Sequence, residues 1–139
     1  MTDTANPSSP GSAPTSNLDD LARLVAAFIA AREWEQFHTP KNLAMSIGIE
    51  AAELMELFQW QTGEQGLADA KDPATRERIS EEMADVFMYL LSLSNQLGID
   101  LGDAVRDKLI KNEKKYPADA CRGHWTVKRP SREKSGQEK

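Results

Sequence analysis

Two carboxylate pairs carry the chemistry most legible in this 139-residue chain: Glu50 with Glu53, and Glu82 with Asp85. A helix turns by about 100° per residue. On that wheel Leu43, Ile47, Leu54 and Leu57 fall within roughly 60° of Glu50, and Glu53 lies at the edge of the stripe one turn on. Ile79, Val86, Leu93 and Leu97 fall within roughly 60° of Glu82, with Asp85 and Tyr89 close on its other side. Both pairs therefore sit on or beside an apolar, core-facing stripe. Burying ionised carboxylates is costly, and four together repel one another. Arg or Lys partners would relieve this, but the nearest basic residues in sequence to Glu50 are Lys41 and Lys71. A divalent cation is the other relief. All-oxygen ligation suits a hard ion, Mg²⁺ with Mn²⁺ as a substitute, which keeps some waters and shares phosphate oxygens with a substrate. A single Glu-x-x-Glu pair is commonplace on solvated helices; two pairs displaced towards apolar stripes do not suit a surface. Glu56 and Glu81 fall off the stripes and read as solvated, with Glu56 able to reach the site from its flank.

Four helical segments must position these groups. The first starts at a cap among Asn17, Asp19 and Asp20 and carries Leu18, Leu21, Leu24, Val25, Phe28 and Ile29, running to about Trp34. The second starts near Pro40, favoured at the first helical position, and ends near Trp60 before Thr62-Gly63. The third follows Asp72-Pro73, capped by Asp72 or Thr75. Ile79, Met83, Val86, Phe87, Leu90, Leu93 and Leu97 point inward along it, and Gly98 stops it. The fourth runs from Asp100 to about Lys115, with Leu101, Val105, Leu109 and Tyr116 inward and Pro117 closing it. Nowhere do apolar and polar residues alternate as in strands. The expectation is an all-α fold, a four-helix bundle. Residues 1–16, rich in Pro, Ser, Thr and Gly, read as disordered. Residues 17–120 read as one domain and 121–139 as a flexible tail.

Composition narrows the function. The formal net charge is −5, which argues against a nucleic-acid polymer as partner, because phosphate backbones are bound by clustered Lys and Arg. The single cysteine, Cys121, rules out an intrachain disulfide and fits a reducing compartment. The N-terminus has no basic or apolar segment of a signal peptide, and no apolar run is long enough for a membrane span. A cytoplasmic protein is expected.

Glu50-x-x-Glu53-x-x-Glu56 followed by Glu82-x-x-Asp85 resembles the metal motif of the MazG-like all-α NTP pyrophosphatases. Further segments resemble their dCTP pyrophosphatase branch: residues 32–43 (Arg32-Glu-Trp-Glu-Gln-Phe-His-Thr-Pro-Lys-Asn-Leu43), Glu53 to Trp60, Glu81 to Tyr89, and Lys108-x-x-x-Asn112-x-x-Lys115-Tyr-Pro117. The resemblance covers roughly residues 18–117. It implies that Glu50, Glu53, Glu82 and Asp85 hold Mg²⁺ on a triphosphate while water cleaves the α–β phosphoanhydride. It implies that Trp34, Trp60 and Tyr89 form the nucleobase pocket and that Lys108, Asn112 and Lys115 lie near sugar and phosphates. It also implies assembly as a homodimer or homotetramer, with pockets that draw on more than one chain. One departure stands out: vertebrate members can carry a His in the first helix near the base, where this chain has Val25.

Phosphoanhydride cleavage needs charge neutralisation, in-line positioning and an oriented water. Glu50 or Glu53 is the expected general base. The bland alternatives are core packing for Trp34 and Trp60, a satisfied core hydroxyl for Tyr89, and an exposed helix face for Lys108, Asn112 and Lys115. Glu35-x-x-His38 has the spacing of di-iron bundles, but those need two copies and this chain has one. His38 is expected instead at the pocket entrance or on phosphate. Other readings are a broader NTP or dUTP pyrophosphatase, a phosphoribosyl-ATP hydrolase, and a non-catalytic helical oligomerisation module.

Overall fold

Helix starts are written into this chain as side-chain acceptors followed by apolar periodicity, and each long helix begins at one. The computed structural model describes residues 17–124. The segment 1–16 expected to be disordered, and most of the expected tail, lie outside those residues. Helix α1 spans Leu18–Ala30, with Asn17 accepting from the Asp20 amide. Helix α2 spans Pro40–Glu56, with Thr39 accepting from Asn42. Helix α4 spans Pro73–Leu97, with Asp72 at its start and Gly98 ending it in the left-handed conformation at φ 61°. Helix α5 spans Leu101–Lys115 behind an Asp100 cap. Among the described residues there is no strand, so the all-α class stands.

Two boundaries differ from the sequence reading. The first helix stops at Ala30 rather than Trp34. Glu33 takes a left-handed conformation at φ 53°, and Trp34–Gln36 form a separate 3-10 turn. The second helix stops at Glu56 rather than Trp60, in a turn over residues 57–60. Two short helices were not expected. Helix α3, Gly63–Asp69, is started by a reciprocal capping box between Thr62 and Gln65. Helix α6, Ala118–Cys121, follows Pro117.

The chain forms two compact units, one ending at Ile99 and the other starting at Asp100. In the first, α4 packs along α2 and α1. The Asn95 side-chain amide donates to the Ala22 carbonyl at 3.0 Å, tying the end of α4 to the start of α1. Val25, Ile29, Leu43 and Leu91 are the buried apolar side chains, joined by Ser92. The second unit carries α5 and α6. Several residues expected inward are exposed in the single chain, among them Leu24, Met83, Leu97, Val105 and Leu109. On α1 and α4 the packing of the first unit covers only part of the apolar surface, and α5 has no buried residue.

No described helix is long and apolar enough to cross a membrane.

Candidate active site

The α2–α4 pairing builds the site. Glu50 and Glu53 rise from the last turns of α2, and Glu82 from the middle of α4. Their carboxylate oxygens come within 4.8 Å of one another. Glu50 and Glu82 are half-buried, while Glu53 and Asp85 are exposed. Helical phase placed Glu50 and Glu82 on the stripe and the other two at its edge, which matches this order. Asp85 stands outside the tight triad but close enough to act on Glu50. Burial pushes the Glu50 carboxyl above its ordinary range, and the charges of Glu53, Asp85 and Glu82 push the same way.

Among the described residues no ion pair with Lys or Arg is formed by these carboxylates. The ion pairs among the described residues, Arg23–Asp20, Arg106–Asp103 and Arg122–Asp119, all lie elsewhere. The donor set fits a hard divalent ion. Opposite oxygens on an octahedral Mg²⁺ are about 4.2 Å apart, so small rotations would draw the three carboxylates into range. The cluster is thus able to hold a divalent metal.

Beside the carboxylates lies a pocket of about 260 Å³. Glu50 and Asp85 form one end of its wall; Val25, Phe28 and Ile29 of α1, Met88, Tyr89 and Ser92 of α4, and Trp34 and His38 complete it. Glu50 meets Glu82 while His38, before α2, shares this pocket with Ser92, further along α4. The two helices therefore run antiparallel.

The segment between α1 and α2 is held by several contacts. The Trp34 ring meets Phe28 edge-on at 6.0 Å between centroids and His38 at 6.4 Å. The Arg32 guanidinium lies 3.5 Å above the Phe28 ring and donates to the Phe28 carbonyl at 2.9 Å. The Asn42 amide donates to the Phe37 carbonyl at 2.9 Å, anchoring the loop to α2. Within this framework His38 Nδ1 is buried and has no hydrogen-bond partner among the described residues.

Of the residues singled out from sequence, Trp34, His38, Glu50, Asp85 and Tyr89 share one pocket wall, and Glu50, Glu53 and Glu82 share one cluster. Val25 lines the same pocket, as its position beside the expected base site suggested. Trp60 does not join them: it is 88% exposed, in the turn after α2. Lys108 and Lys115 are exposed and Asn112 half-buried on α5, in the second unit. Sequence reasoning missed Ser92, which is 5% exposed and lies on the pocket wall. A buried serine in mid-helix has no periodic signature, and the apolar stripe read along α4 from Ile79 to Leu97 included neither Ser92 nor its buried neighbour Leu91.

Known proteins resemble this chain closely. The dCTP pyrophosphatase 1 proteins of Bos taurus and Homo sapiens are each 41% identical to it, over 88% and 86% of this chain and 71% of theirs. The crystal structure of a pyrophosphatase from Archaeoglobus fulgidus superposes with a TM-score of 0.68 at 38% identity, covering 78% of this chain and 99% of that one. Residues 45–124 match the profile of the MazG-like family, a span that takes in all four carboxylates. With the metal-ready cluster, the aromatic pocket and relatives at this identity, the chain belongs to the MazG-like family.

Proposed function

We propose that this protein is a Mg²⁺-dependent hydrolase that converts dCTP and water to dCMP and pyrophosphate. The carrying observation is the carboxylate cluster set against an aromatic-walled pocket, in a chain 41% identical to dCTP pyrophosphatases. Glu50, Glu53, Glu82 and Asp85 would hold the metal, with Mn²⁺ as a substitute. When bound, the ion supplies charge neutralisation on the phosphate oxygens. Glu50 or Glu53 orients the attacking water and takes its proton as the new bond to the α-phosphorus forms and the bond to the bridging oxygen breaks. Trp34 and Tyr89 flank the base, and apolar Val25, Phe28 and Ile29 exclude water around it. Lys108, Asn112 and Lys115 would meet sugar and phosphates.

Trp60 fits this reading through self-association. A tryptophan 88% exposed in one chain can complete a base pocket of a second copy in a homodimer or homotetramer. The exposed apolar faces of α2 and α4 support such assembly.

A panel of (d)NTPs, assayed for pyrophosphate with Mg²⁺ titrated, tests the reading. The expected result is metal-dependent turnover highest for dCTP. Preference for a purine triphosphate over every pyrimidine would overturn the base assignment. Similar rates across pyrimidines would favour a broader NTP or dUTP pyrophosphatase, and no turnover at all a non-catalytic module.

A further inference from the structure

The pocket has a direction. Asp85 and Glu50 stand at one end of its wall, and Ser92, seven residues beyond Asp85 on α4, at the other. Seven residues of helix rise about 10 Å, close to the reach of a nucleoside from its α-phosphate to the far edge of its base. If the phosphates lie at the carboxylates, the hydrogen-bonding edge of the base lies at the Ser92 end. That orientation rests on the function proposed above.

Few polar groups are available there. The α1 side of the pocket, Val25, Phe28 and Ile29, is apolar, and Tyr89 lies between Asp85 and Ser92 along α4, where its ring flanks the base. At the far end the polar groups on this pocket's wall are His38 and Ser92, which also face an adjoining cavity lined by Glu35, Asn95 and Gln96. The Ser92 hydroxyl donates to the Met88 carbonyl at 2.8 Å. A serine has one hydroxyl proton and two lone pairs, so with that proton committed the oxygen presents itself as an acceptor. His38 Nδ1 is buried with no partner among the described residues; a buried polar atom of this kind calls for one. An acceptor beside an unsatisfied imidazole complements an amino group adjoining a ring nitrogen. A keto oxygen at the amino position would face the serine lone pairs, or would require the hydroxyl to leave Met88.

We propose that Ser92 and His38 read the edge of the nucleobase and select a pyrimidine with an exocyclic amino group over its keto counterpart. Ser92 accepts from the amino group, and the His38 imidazole hydrogen-bonds the adjoining ring edge. Sites built around a hydrogen-bonding substrate group discriminate by leaving their own polar atoms unpaired when the group is missing.

The test compares kcat/KM for dCTP and dUTP in the Mg²⁺-loaded full chain. Ser92→Ala is expected to lower the dCTP-to-dUTP ratio about tenfold, roughly the loss of one hydrogen bond, with dUTP turnover unchanged or improved. His38→Leu is expected to raise KM for dCTP with a smaller effect on kcat. His38→Asn, whose amide takes the place of the Nδ1 edge, is expected to restore most of it. Thermal melts check that each variant folds, and the substrate ratio is a readout that a packing defect would not move. A Ser92→Ala variant that lowers both substrates equally, or leaves the ratio unchanged, overturns the proposal while leaving the hydrolase reading intact. A wild-type protein with no dCTP turnover overturns both.

Discussion

The surroundings of Glu50 oppose its ionisation. Burial, then Glu53, Asp85 and Glu82, raise its carboxyl above the ordinary value of 4.5. In the metal-free protein the folded state therefore binds the Glu50 proton more tightly than the unfolded chain does. Stability from this group is fully present below the unfolded pKa and is lost as pH rises through the raised folded value. Metal-free wild type is expected to gain melting temperature, relative to Glu50→Gln, as pH falls from neutral into that window; parallel pH–melting curves for the two proteins would refute this. At neutral pH Glu50→Gln is expected to be at least as stable without metal, because a buried repulsive charge is gone. Pyrophosphate release should fall by a factor of about 100 or more, the typical loss when a preorganised electrostatic group is removed. Retained turnover in Glu50→Gln, read with Mg²⁺ in excess, would remove Glu50 from the metal site.

Helices α2 and α4 carry the carboxylates; their starts and the stop of α4 were legible because each has a local cause, whereas the end of α2 at Glu56 was not. Thr39-Pro40, Asp72-Pro73, Gly98 and Asp100 act through their own side chains or their backbone freedom, so their meaning survives without tertiary context. The carboxylates were legible for the same reason: phase is fixed by the helix itself. Helix α3 was not, since seven residues containing Gly63 and Gly66 give no apolar period to read. Nor was the break after Ala30, since Glu33 bears a conformation that its residue type does not advertise. That break is itself testable. A left-handed non-glycine residue costs about 1–2 kcal/mol, and a β-branched side chain there is a sharper misfit. Glu33→Gly is expected to leave stability equal or slightly higher, and Glu33→Val to lower it by about 1 kcal/mol or more. Urea unfolding measures both, and a Glu33→Val chain as stable as wild type would show that this backbone relaxes freely. Acid acts oppositely on the cap of α4. The Thr75 backbone amide, and then its hydroxyl, donate to Asp72 and hold its carboxyl below the ordinary range. That contribution is present at neutral pH and is lost as pH falls through the lowered value. The stability gap between wild type and Asp72→Ala should therefore close in acid.

Among the described residues a single chain leaves large apolar side chains in water, which supports the proposal that the working unit is an assembly. Met45, Ile49 and Met55 on α2 and Met83 and Phe87 on α4 are all exposed, Met55 at 71%. One groove beside Glu53 and Glu56 is floored by Ile49, Ala52 and Met55; another, between α2 and α4, is lined by Leu54, Met83, Val86, Phe87 and Leu90. Contiguous apolar patches on this scale mark interaction surfaces, and two on the helices that carry the carboxylates suit a second copy of the same chain. This link could not be read from one sequence, because a leucine facing a partner and a leucine facing the core have the same helical phase. Sedimentation of the wild type is expected to give a dimer or tetramer, little affected by salt because the contact is apolar. Met83→Lys should dissociate it while helix content by circular dichroism stays unchanged, since Met83 is 57% exposed within its own chain. Turnover should fall together with the oligomer if, as proposed, Trp60, which stands outside the pocket of its own chain, closes a neighbour's. A Met83→Lys monomer with full dCTP turnover would show that each chain completes its own site and that Trp60 has no part in it.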